Sequence, residues 1–179
     1  FAEPRIADAV ARYVELAGAA PDDTFALRDL SIAQNLHTSA LMRLQRNSEA
    51  VTVAKASLET ADRLLQLSPD NPEYKHDRLV TLNRLGDAQF ALGDNMAAAE
   101  SFKAMADQGS ALMDVDPYST AWANDLGLAL ERLGNVQLAL GEVAAALKSH
   151  QDALALRDWL VQQDPSDADW YRNLGLSQA

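Results

Sequence analysis

The sequence predicts an all-helical chain built as an array of antiparallel helix pairs. The first observation behind this is a repeat. The stretch DRLVTLNRLGDAQFALG at 77–93 returns as DLGLALERLGNVQLALG at 125–141, an offset of 48 with nine of 17 positions identical. The second is punctuation, since Pro21, Pro69, Pro117 and Pro165 stand at the same spacing. A period in this range marks stacked units, each too small to bury its apolar face alone. The third is that no stretch reads as a strand, whereas alanine and leucine, both helix formers, dominate.

Taken in order, residues 1–20 overlay 49–68 when shifted by 48 and read as the second helix of a partial repeat. Ile6, Val10, Tyr13, Val14 and Ala17 form its apolar face, and Gly18 is its stop. The repeat at 21–68 opens with Asp23 as cap of a helix running to about Leu44. Its apolar stripe is Phe25, Leu27, Leu30, Ile32, Ala33, Leu36, Ala40, Leu41 and Leu44. Ser48 starts the partner helix, which Ser68-Pro69-Asp70 breaks.

The repeat at 69–116 begins with Asn71-Pro72-Glu73. That is a capping amide, then a proline where no N–H is needed, then an acid at the positive helix end. Gly93 ends this helix, and Asp94 or Asn95 caps the next one, which reaches about Val115. The repeat at 117–164 has Ser119 as cap, Gly141 as stop, and a second helix broken at Asp164-Pro165. Residues 165–179 read as the first helix of a truncated repeat, starting at Asp167 and carrying Trp170, Leu174 and Leu176. The copy at 29–45 has diverged, matching 77–93 only at Asp29, Asn35, Ala40 and Leu44, but it needs no insertion.

Composition narrows the function. The chain has 179 residues, 48% of them hydrophobic, so a continuous core is within reach. It has no cysteine, which excludes a disulfide framework and a thiolate zinc site. No apolar run is long enough to span a membrane and no leader opens the sequence, so a cytoplasmic location is expected. The net charge of −11 repels phosphate backbones and favours a basic partner over nucleic acid.

At Leu85-Gly86, Gly93, Ala98 and Phe102, and again at Leu133-Gly134, Gly141, Ala146 and Ala153, the pattern resembles the tetratricopeptide repeat (TPR) family. The first copy keeps Ala50, with His37-Thr38 and Gln45 replacing Leu-Gly and Gly. The family's usual unit is about 34 residues, so this chain is similar to the long-helix arrays of bacterial multidomain proteins. The resemblance implies a right-handed α-α superhelix, or solenoid, whose first helices line a concave groove, and a role as a protein-interaction scaffold. Glycine inside a helix costs about 0.5–1 kcal/mol relative to alanine. Gly86 and Gly134 therefore point to a close helix contact, expected opposite Ala98 and Ala146.

Chemistry-bearing patterns are scarce. His37, His76 and His150 lack the three- or four-residue spacing of a helical zinc site. His150 falls at the Phe102 register and reads as a packed core residue. Asp29, Asp77 and Asp125 share a register one period apart, too far for a shared proton, and read as bonds to neighbouring helices. Tyr74, Trp122 and Trp170 share another register and read as hairpin packing. No phosphate loop, nucleophile elbow or calcium loop is found, so no enzymatic activity, metal or cofactor is expected.

The resemblance places Asn35, Ser39, Met42, Asn83, Asp87, Phe90, Glu131, Asn135 and Leu138 in the groove. A protein or peptide segment of basic character is the expected ligand. Asn35 and Asn83 stand where a lysine would grip a C-terminal carboxylate, which argues against that mode. The alternative is a structural module that self-assembles into a homo-oligomer through its terminal helices.

Overall fold

The computed structural model describes residues 3–163. Among these the chain is helix and short turn throughout, with no strand. The helices are α1 (Glu3–Ala19), α2 (Thr24–Arg43), α3 (Asn47–Leu67), α4 (Pro72–Leu92), α5 (Asn95–Val115), α6 (Thr120–Ala139) and α7 (Val143–Gln163). The first helix expected at 165–179 lies outside the described residues. The chain divides into two compact units, Phe1–Asp94 and Asn95–Ala179, so the expected repeat at 69–116 contributes α4 to one and α5 to the other.

Local chemistry sets the helix ends. Asp23 caps α2 by accepting from the N–H groups of Phe25 and Ala26, and Asn71 caps α4 by accepting from those of Glu73 and Tyr74. Ser119 accepts from Trp122 at the start of α6. The start of α3 departs from expectation. It begins at Asn47 and its preceding residue, Arg46, makes no side-chain capping bond. Arg46 instead holds Glu49 through two hydrogen bonds of 2.7 Å. Those bonds keep the Glu49 carboxyl below its ordinary pKa.

Three helix ends place a residue in the left-handed region, with Gly93 at φ 86°, Gly141 at 78° and Gln45 at 59°. Gln45 is 48 residues before Gly93, so the backbone geometry survives where the glycine has not. A side chain in this conformation costs roughly 1–2 kcal/mol. Gln45→Gly is therefore expected to stabilise the first unit by about 1 kcal/mol, less glycine's greater freedom in the unfolded chain. A denaturant midpoint that falls or stays put would contradict this.

In the first unit, α1 packs on α2, α2 on α3 and α3 on α4, while α2 also touches α4. Helices α2 and α3 run antiparallel, since Leu41 near the end of α2 clusters with Ala50 near the start of α3, and Leu27 near the start of α2 with Leu64 near the end of α3. Helices α2 and α4 run parallel, joined by Arg28 to Asp77 at 2.6 Å and by Asn35 to Thr81 at 2.9 Å. One core cluster gathers Ala17, Leu27, Leu30, Leu64 and Tyr74, and another gathers Leu41, Ala50 and Ala88. Tyr74 thus packs inside the unit, with the Arg28 guanidinium over its ring.

In the second unit α5 packs on α6 and α6 on α7. Phe102, Ala98 and Val136 form its core cluster, with Leu133 and Leu140 against it. Gly109 is a close approach that the sequence reading missed, since a Cβ there would lie 3.3 Å from the Leu126 backbone. Gly134 is buried in a close contact as expected, but its neighbour is the His150 ring, one turn beyond Ala146.

The α2 stripe divides. Leu27, Leu30, Ala33 and Leu41 are buried, whereas Phe25, Ile32, Leu36 and Leu44 are exposed. The latter residues are surface, and two of them shape the candidate site.

Candidate protein-binding groove

Running side by side, α2 and α4 leave a groove of about 210 Å³ between them. Ser31, Ile32, Asn35, Leu36 and Ser39 line it from α2, and His76, Asp77, Val80 and Arg84 from α4. Helix periodicity explains the set. Residues three and four apart share a face, so Ile32, Asn35, Leu36 and Ser39 project together from α2, and His76, Val80 and Arg84 from α4.

Much of the polarity in this groove already has partners. The Asn35 amide donates to Thr81, and its oxygen accepts from Ser57 at 3.2 Å. Asn35 thus ties α2 to both α3 and α4. Ser39 donates to the carbonyl of Asn35 at 3.0 Å, and Asp77 is paired with Arg28. The hydrogen bond to Asp77 raises the Arg28 pKa against the opposing effect of burial. Apolar Ile32 and Leu36 remain exposed, and Leu36 is 59% accessible.

The other expected site residues are distributed as follows. Met42 is half-buried against the Leu41–Ala50–Ala88 cluster. Asn83 is half-buried and its Oδ1 is enclosed without a partner among the described residues. Asp87 is half-buried and Phe90 is exposed. In the second unit, Glu131 is ion-paired with Arg157 across α6 and α7, while Asn135 and Leu138 are exposed. Asn35 and Ser39 are the expected residues that the α2–α4 groove brings together. Ile32, Leu36, His76 and Arg84 are lining residues that the sequence reading did not assign to it. For Ile32 and Leu36 the signal was an apolar α2 pattern too broad for one buried face.

Among the described residues no three His, Asp or Glu side chains are grouped as a metal-binding set, and no helix is long and apolar enough to cross a membrane.

The fold is thus that of an all-helical array in which successive helices pack antiparallel within each unit. Among solved structures the chain is similar to one titled "Crystal structure of MamA", at 16% sequence identity and a TM-score of 0.47, covering 96% of this chain and 76% of that chain. No family model matches the chain, and neither does any curated protein.

Proposed function

We propose that this protein is an interaction scaffold whose groove between the first helices α2 and α4 binds a protein or peptide segment. The observation that carries this reading is the α2–α4 groove, where exposed Ile32, Leu36 and half-buried Val80 stand beside fixed polar groups. Apolar anchors within a polar frame are what a side-chain-reading groove needs. The resemblance of Leu85-Gly86 and Leu133-Gly134 to the TPR pattern supports the same assignment. The charge of −11 favours a basic segment, drawn in faster at low salt.

Fluorescence anisotropy with labelled lysine- and arginine-rich peptides tests this. Affinity should fall as salt rises. Val80→Lys should weaken binding about tenfold by placing a like charge in the groove. Phe90→Ala should act mainly by speeding dissociation, because an exposed aromatic anchor contributes little to the encounter. Lys103→Ala, on an exposed face of α5, should change nothing. If the Lys103 variant loses affinity and the Val80 variant does not, the ligand lies on a different face.

A further inference from the structure

The α2–α4 groove is bounded by side chains between Ser31 and Arg84, with α3 behind it, where Ser57 bonds Asn35. Most of its polar groups are committed. Ser31 meets Ser57 at 3.3 Å, and Asn35 donates its amide to Thr81. Ser39 donates back to the Asn35 carbonyl. Asp77 is held by Arg28, and His76 has a partner of its own. Arg84 differs from all of these. It lines the groove half-buried, with no hydrogen bond or ion pair among the described residues.

That arginine defines what the groove lacks. A guanidinium carries five N–H donors in a flat fork. Part of its hydration is lost to burial, and no unpaired carboxylate in the groove offsets that cost. A carboxylate from outside supplies two acceptors in the matching plane. A cation from outside finds the opposite, because Asp77 is already neutralised by Arg28. Val80 stands one turn before Arg84 on α4, and Leu36 lines the same groove from α2. The volume of about 210 Å³ is below the roughly 300–1,000 Å³ of small-ligand pockets. It suits side chains of a docked segment better than a whole small molecule.

We propose that Arg84 selects, within the segment bound in the α2–α4 groove, for an internal aspartate or glutamate close to an apolar residue. The carboxylate pairs with the Arg84 guanidinium, and the apolar side chain packs on Val80 and Leu36. This rests on the peptide-binding reading of the groove and adds a local requirement to it. The two charge effects act at different ranges. The net charge of −11 draws in a basic segment over about a Debye length, ~8–10 Å. The Arg84 pair forms only on docking. The expected ligand is therefore basic overall, with an acidic residue at its centre.

Fluorescence anisotropy with labelled, lysine-rich peptides tests this. Their C-termini are amidated, so that a side chain is the only carboxylate. Each carries a central leucine, with glutamate, glutamine or lysine placed one to four residues away. At the spacing that fits, the glutamate peptide should bind about tenfold or more tighter than its glutamine twin. Arg84→Gln should remove that preference, and Arg84→Glu should reverse it in favour of the lysine peptide. A glutamate preference that survives in Arg84→Gln would overturn the proposal. So would equal affinity for glutamate and glutamine at every spacing. If Val80→Lys still weakens the glutamine peptide in those cases, the groove reading stands without the Arg84 assignment. Peptides that fail to bind, or that bind Val80→Lys as well as the wild type, would overturn both.

Discussion

Phe102→Ala is expected to destabilise the second unit by about 3–5 kcal/mol. The Phe102 side chain is 1% exposed and packs among Ala98, Val136, Leu133 and Leu140. The loss has two parts, the transfer energy of the ring and the cavity it leaves. The cavity is hard to collapse here. Ala98 has no side chain to swing into it, and Val136 is held to few rotamers by its branched Cβ. The cost should fall near the top of the range for that reason. A urea melt should show a lower midpoint at unchanged slope. Leu147→Ala, at a residue 58% exposed on α7, serves as the contrast and should stay within about 0.5 kcal/mol. Equal shifts for the two variants would show that the Phe102 cluster is not the core of this unit.

Gly134→Leu is expected to cost about 1–3 kcal/mol through overpacking between α6 and α7. A Cβ at Gly134 would stand 2.7 Å from His150 Nε2 and 2.8 Å from Cε1, both far inside contact distance. A leucine extends further still, so α7 would have to retreat along a face that also holds Gln137 to Ser149 at 2.8 Å. Gly134→Ala separates the backbone effect from the steric one. The clashing atoms are at the end of the His150 side chain, which can rotate away. Alanine also favours helix over glycine by about 1 kcal/mol. That variant should be close to neutral, and adding His150→Ala should make the alanine clearly tolerated. Leucine tolerated as well as alanine would mean that α6 and α7 do not meet closely at this point.

Much of the helical framework was legible because it depends on local chemistry. Asn71 before Pro72, Asp23, Ser119, Gly93 and Gly141 each mark a helix end through a property of one residue, a capping oxygen or freedom at positive φ. Such properties hold whatever the rest of the chain does. Even Gln45, which lacks the glycine, turns at the same place because the chain on either side demands it. The Asp77 register was read as a bond to a neighbouring helix, and Arg28 is the partner. Gly134 was read as a close contact for the cost of a glycine inside a helix.

Tertiary packing decided the rest. The atoms nearest Gly134 belong to the His150 ring, one turn beyond Ala146, because the crossing of α6 and α7 sets which turn of one helix faces which turn of the other. That crossing depends on all the side chains between the two helices. Asn35 was placed among the groove residues, yet it also cross-links α2, α3 and α4, since its orientation follows from where Ser57 and Thr81 come to lie. Ile32 and Leu36 have the same periodicity as Leu30 and Ala33, but the latter are covered and the former are not. By itself the sequence determined where helices start, stop and carry apolar residues, because those are properties of neighbours within a turn or two. Only the tertiary structure decided which apolar face is core and which is groove, because coverage depends on helices tens of residues away in the chain.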